Sequence, residues 1–353
     1  MPAFISQEAA KLAPYTPGEQ PQNQRYIKLN TNESPFPPSE RVREAVSREQ
    51  VQSLNLYSDP TCKRLHDVLA MRYGVQPENV ISGNGSDEIL AFAFRAFCGT
   101  GKPVAYADIT YGFYEAQAVL FGLESHRIPL REDLTLDIQD YMDFPGMIVI
   151  ANPNAPTGIA VPRSDIEQLL RVNPERVVLV DEAYVDFGGE SCVPLVRQYQ
   201  NLLVVQTMSK SRQLAGARLG YALGSVSLIE AMNRVKYSFN PYNVNRMTMA
   251  AGIAAVEDEA YFRQCCHTIV ENRLWTALEL EKLGFLVLPS QTNFVFAKSE
   301  QISGGELYQK LKERGILVRW FDSVRIQDYI RITIGSREEM MTLIDEIPRV
   351  LQG

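Results

Sequence analysis

Between residues 79 and 206 short apolar runs alternate with stretches whose apolar positions recur at helical spacing. Asn79–Ser82, Pro103–Ala107, Met147–Ala151, Val177–Val180 and Leu202–Gln206 are largely unbroken apolar runs rather than alternating ones. A strand that is apolar on both sides is covered on both sides, so these runs predict a mostly parallel sheet between two layers. Ser86–Phe97 and Tyr111–Phe121 carry the helical period and predict helices. This alternation of strand and helix predicts a doubly wound α/β domain.

Near residue 258 the pattern changes. Glu259–Leu283 reads as one long helix stopped by Gly284. Strand candidates Phe285–Leu288 and Asn293–Phe296, a helix over 304–314, strands Ile316–Arg319 and Tyr329–Thr333, and a helix from about 337 follow. That order predicts a smaller α+β domain. Residues 1–40 are rich in Pro, Gln and Asn, without a clear period, and predict an arm. The expected partition is an arm over 1–40 that joins the small domain, a large domain over 41–257 and a small domain over 258–353.

Composition narrows the function. A chain of 353 residues fits two domains sharing an interface. Its net charge of -7 argues against nucleic acid as the main partner, but leaves room for small anions in a local cationic pocket. Five cysteines with no C-x-x-C pair, and only three histidines, suggest no metal-ligand cluster. Free thiols fit a reducing cytoplasm. Residues 1–11 have no apolar core of a signal peptide, and no apolar run reaches the roughly 20 residues that span a bilayer.

The chemistry concentrates where strands end. The segment from Thr207 to Tyr221 follows the strand Leu202–Gln206, at the edge where open α/β sheets bind ligands. Lys210 there, flanked by Ser209 and followed by Arg218, suits an aldehyde cofactor that carries a phosphate. The amine forms the imine, while Ser209 and Arg218 bind the phosphate. Asp181 closes the strand Val177–Val180, where a buried carboxylate needs a cation such as a protonated pyridine nitrogen. Tyr184 lies within reach of a neighbouring ring oxygen. Gly85, Ser86 and Asp87 form a turn into a helix, a cup for an anion. Tyr111 follows another strand and can stack on a flat ring. Asn152–Gly158 offers a turn with hydrogen-bonding amides. Each motif alone also fits an ordinary cap or turn. Together the five loops supply what one cofactor requires.

These motifs resemble those of the fold type I aminotransferases, which use pyridoxal phosphate, and more narrowly those of histidinol-phosphate aminotransferases. The likeness covers almost the whole chain and is most specific at Lys28–Pro35, Tyr57–Pro60, Gly83–Glu88, Asn152–Gly158, Asp181–Tyr184, Ser209–Tyr221 and Arg331–Gly335. The resemblance implies that Lys210 carries the cofactor and shuttles the proton, Asp181 pairs with the pyridine nitrogen, and Tyr184 serves the 3′ oxygen. It implies that Tyr111 stacks on the ring, and that Gly85, Ser86, Asp87, Ser209 and Arg218 hold the phosphate. Tyr57 would reach that phosphate from a second subunit, which implies a homodimer. Arg331 would bind the substrate phosphate with Arg319 and Tyr15, and Asn32 and Glu33 would approach the substrate. One departure stands out: the family has Asn directly before Pro-Thr-Gly, and here that position is Ala155 with Asn154 before it. Either Asn154 takes over the contact to the ring oxygen, or the contact is lost.

The implied reaction moves an amino group between histidinol phosphate and 2-oxoglutarate, in histidine biosynthesis. Two rivals share the scaffold: an aromatic-amino-acid aminotransferase and a phosphothreonine decarboxylase. A pyridoxal-phosphate-binding regulator is a third, but it needs an added DNA-binding domain for which the arm before Lys28 leaves no room.

Overall fold

The computed structural model describes residue 12, residues 15–21 and residues 24–352. Two main sheets organise the chain. The larger has seven strands, β1 (Val80–Asn84), β2 (Val104–Ala107), β3 (Ser125–Ile128), β4 (Met147–Ala151), β5 (Val178–Asp181), β6 (Leu202–Thr207) and β7 (Leu219–Gly224). Their spatial order is β1-β7-β6-β5-β4-β2-β3. All pairings are parallel except those of β7, which runs antiparallel to both β1 and β6. The large sheet is therefore mostly parallel and of the α/β class, as expected.

The apolar runs work as anticipated. Ile148, Ile150, Val178, Val180, Leu202 and Val204 pack into a core on one face. Met147, Val149, Leu179, Leu203 and Val205 pack into another on the opposite face. Successive side chains of a strand point to opposite faces, so an unbroken run feeds both cores. Helix Ser86–Phe97 has the predicted bounds, and the helix expected over 111–121 starts at Phe113, capped by Gly112.

The smaller sheet contains β8 (Phe285–Val287), β9 (Phe294–Ser299), β10 (Arg319–Trp320) and β11 (Tyr329–Thr333), in the order β10-β11-β9-β8. The run 316–319 is divided. Ile316–Leu317 pairs in parallel with Ile27–Lys28 of the arm, and Arg319–Trp320 pairs with β11. The strand changes partner at Val318, which no continuous apolar pattern reveals. Helix Glu259–Lys282 ends one residue before Leu283, and Gly284 follows in the left-handed region (φ 84°) that glycine tolerates. No helix among the described residues is long and apolar enough to cross a membrane.

Candidate active site

The carboxyl ends of β1, β2, β4, β5 and β6 face one way, and antiparallel β7 begins at that same edge. Residues before β7 and after the other five strands therefore meet. They line a cleft of about 810 Å³, closed from the other side by the arm and the small sheet.

Lys210 follows β6 and lines this cleft. Its Nζ donates to the Thr31 carbonyl (3.1 Å) and lies 5.9 Å from the centre of the Tyr184 ring. Burial, reinforced by the Arg331 charge, lowers its pKa from 10.5 to about 8. The amine thus has a sizeable neutral fraction near physiological pH, as a nucleophile and base requires. The linkage has a definite sign. A base whose folded pKa lies below its unfolded value destabilises the fold fully below pH 8, and the cost disappears as pH rises to 10.5. Cofactor-free Lys210→Met should therefore melt above the cofactor-free wild type at pH 7, by of order 2 kcal/mol in stability. The gap should close near pH 10.5; scanning calorimetry across that range checks it, and a gap independent of pH would contradict it.

Asp181 ends β5 and is buried. Its Oδ2 accepts from the Tyr114 hydroxyl (2.7 Å) and its Oδ1 from the Ala183 N–H (3.2 Å). Burial raises the carboxyl to about 6, with the Tyr114 hydrogen bond opposing. Among the described residues it forms no salt bridge. Such a carboxylate is poised for a cation arriving from the cleft.

Gly85 has φ 81°, and a Cβ there would lie 2.4 Å from Arg218 Nη2. The absence of that carbon lets the guanidinium fold against the start of helix Ser86–Phe97, whose first N–H groups are free to bind an anion. Arg218 itself sits at φ 55° and pairs with Asp87 (2.9 Å). Tyr111 donates to the other oxygen of Asp87 (3.0 Å). The Asp87 carboxylate thus orients the arginine and the aromatic ring; what it offers an anion is its place in the first helical turn. Ser209 lines the cleft and accepts from the Thr207 hydroxyl (2.9 Å), so its own proton remains available.

The arm supplies the opposite wall. Asn32 Nδ2 donates to the Tyr184 hydroxyl (2.9 Å). Glu33 pairs with Lys28 (2.6 Å) and accepts from Thr31 (2.9 Å); burial works against its ionisation, yet these partners hold its carboxyl below the usual range. Arg331, partly buried, donates to the Asn30 carbonyl (3.0 Å) and lies between the Phe294 and Phe321 rings, while its Nε is buried without a partner. Arg319 covers the same Phe321 ring and bonds the carbonyls of Thr16 and Pro17. The Tyr15 ring stands edge-on to Tyr111, 5.6 Å away.

Two predicted residues are elsewhere. Tyr57 is 79% exposed, stacked on Tyr242, and does not line the cleft of its own chain. Asn154 does not line it either: its Oδ1 accepts from Thr110, and its Nδ2 donates to the Ile109 carbonyl and to Thr157. Both ends of that amide serve the turn, while Ala155 faces the cleft. The takeover by Asn154 is therefore corrected: the amide is already engaged. Sequence reasoning overlooked Tyr114, Thr31 and Thr333. Tyr114 lies three residues after Tyr111, one helical turn on, a spacing that could have flagged it.

The family profile for aminotransferase class I and II matches residues 24–347. The chain belongs to this family. A histidinol-phosphate aminotransferase from Marinomonas sp. (strain MWYL1) is 52% identical over 347 residues, covering 97% of this chain and 98% of the relative. One from Brachyspira hyodysenteriae is 46% identical over 354 residues and covers 100% of both. The crystal structure of histidinol-phosphate aminotransferase from Sinorhizobium meliloti in complex with pyridoxal-5′-phosphate superposes with a TM-score of 0.90 at 24% identity, covering 99% and 98% of the two chains. For this aminotransferase the site is self-consistent with an anionic, cationic-ringed cofactor. The Gly85–Arg218 cradle fits a phosphate, Asp181, with hydrogen bonds but no salt bridge among the described residues, fits a ring cation, and Tyr111 lines the cleft between them.

Proposed function

We propose that this aminotransferase uses pyridoxal 5′-phosphate to move an amino group between histidinol phosphate and 2-oxoglutarate, in histidine biosynthesis. The observation that carries the substrate is the pair Arg331 and Arg319, both over the Phe321 ring at 5.5 and 5.4 Å, with Arg331 Nε buried and unpartnered. Two guanidinium groups at one end of a cleft suit a dianionic phosphate better than a single carboxylate. The identity of 46–52% to relatives of that name supports the same reading.

When bound, the cofactor supplies an aldehyde for the amine and a ring that draws electrons from the substrate α-carbon. Lys210 would hold it through Nζ and, neutral at that atom, would carry the substrate α-proton across the face of the site. Asp181 would face the ring nitrogen and, ionised, would favour its protonated form. Tyr184 would donate to the ring oxygen, and Tyr111 would stack on the ring. Ser86, Ser209, Arg218 and the N–H groups beside Gly85 and Asp87 would hold the phosphate. Arg331, Arg319 and Tyr15 orient the substrate, with Asn32 and Glu33 beside Lys210. The arm's Thr16 and Pro17 carbonyls hold Arg319 at the outer end.

The protein acts as a cytoplasmic homodimer in this reading. Tyr57, Leu56, Leu54 and Phe239 are all more than half exposed, which supports a partner surface where Tyr57 reaches the neighbouring phosphate site.

The decisive test compares histidinol phosphate with phenylalanine as amino donors to 2-oxoglutarate. A kcat/KM at least tenfold higher for histidinol phosphate is expected. A tenfold preference for phenylalanine, or release of carbon dioxide from phosphothreonine, would overturn the substrate assignment while leaving the family untouched.

A further inference from the structure

With Ala155 facing the cleft and the Asn154 amide engaged in its turn, Tyr184 is the side chain placed to serve the cofactor's ring oxygen. A hydroxyl has one proton. Whether Tyr184 donates it to the ring depends on what else the oxygen meets.

Asn32 fixes this. It is buried, at φ 55°, and its backbone N–H donates to Thr333 Oγ1 (3.0 Å). Thr333 therefore accepts there, and its own proton goes to Asn32 Oδ1 (2.9 Å). That contact determines which way the Asn32 amide faces: the carbonyl meets Thr333 and the NH₂ group meets Tyr184. The Tyr184 oxygen is thus an acceptor from Asn32, and its single proton is directed elsewhere. Asn293 Nδ2 donates to the Asn32 backbone carbonyl (3.0 Å) and so holds the backbone beside that amide.

We infer that Thr333 is a positioning residue: the relay Thr333→Asn32→Tyr184 aims the Tyr184 proton at the cofactor ring and so sets the acidity of the lysine–cofactor link. The inference rests on the proposed role of Tyr184 as ring-oxygen donor. Thr333 is in β11, on the same strand face as Arg331, two residues away. The relay therefore ties the strand that grips substrate to the protonation state at Lys210. The other charged groups facing Tyr184 are Arg331, Asp181 and Asp87, with the Lys210 amine over its ring, and none of them is altered by the test.

Thr333→Val keeps the shape and removes the hydroxyl; Thr333→Ser restores it. The readout is the pH midpoint at which the visible absorbance of the holoenzyme changes. Loss of a donor to the ring oxygen favours the protonated form, so Tyr184→Phe should raise the midpoint. Thr333→Val should raise it by about half a unit to one unit, the equivalent of one lost hydrogen bond. Thr333→Ser should return it to the wild-type value, and Thr333→Val should add nothing in the Tyr184→Phe background. If Tyr184→Phe shifts the midpoint and Thr333→Val does not, the relay is overturned and the role of Tyr184 stands. Shifts that add in the double variant also overturn the relay. If Tyr184→Phe itself leaves the midpoint unmoved, the ring-oxygen reading fails and the relay with it. Thermal melting confirms that each variant is folded.

Discussion

Lys210→Ala should lower the turnover of amino-group transfer by at least about 10⁴-fold, the upper range for loss of a general base, since it removes both the covalent anchor and the proton carrier. The purified variant should still bind pyridoxal phosphate, because Arg218, Ser209, Tyr111 and Asp181 remain. Borohydride should attach the cofactor to the wild type at a peptide containing residue 210, and should attach none to the variant. Among the described residues Lys210 is the lysine that lines the cleft. Others have different engagements: Lys28 pairs with Glu33, and Lys236 donates to the Pro60 carbonyl. Label on another lysine, or turnover within tenfold of wild type, would remove Lys210 from the centre of the mechanism.

Why the strand ends that carry Lys210 and Asp181 were legible in the sequence, and their partners Thr31 and Tyr114 were not, has a physical basis. Strands buried on both faces announce themselves, so β4 and the helix Ser86–Phe97 have the bounds that their patterns predict. The ends of such strands can then be located, and with them Asp181 and Lys210. Edge strand β3 reads Ser-His-Arg-Ile and is mostly exposed, so no apolar pattern marks it. Strand β7 is hidden within the lysine motif, although its reversed direction is what brings Arg218 to the edge shared with Gly85. Contacts between distant segments are harder still. Thr333 and Asn32 are 301 residues apart, and nothing local in either segment indicates the other. Asn154 illustrates the opposite failure. Its position in the motif was legible, but its amide already satisfies Thr110, Ile109 and Thr157, and only the folded turn reveals that.

Asp181→Asn tests the electrostatic half of the site, and its effects on stability and on activity should have opposite signs. In the cofactor-free protein the buried carboxylate has Tyr114 and the Ala183 N–H as partners, and burial lifts its pKa from 3.8 to about 6. An acid whose folded pKa is raised destabilises the fold above that pKa, and the cost vanishes once pH falls below the unfolded value. The cofactor-free Asn variant should therefore melt above wild type at pH 7, and the advantage should disappear near pH 4. The bound cofactor reverses the order. If Asp181 faces the ring nitrogen as proposed, the ring cation should compensate its charge in the wild type, whereas a neutral amide should not hold that nitrogen protonated. Removing one such preorganised partner costs about 10²- to 10³-fold in kcat, and this is the loss expected for Asp181→Asn. The rise in melting temperature on adding pyridoxal phosphate should also be smaller in the variant than in the wild type. Equal cofactor-induced stabilisation in both proteins, with kcat within threefold, would show that Asp181 does not face the ring nitrogen. A mere packing defect would instead lower the cofactor-free melting temperature at every pH, so the crossing of the two orders distinguishes a lost charge from a lost fit.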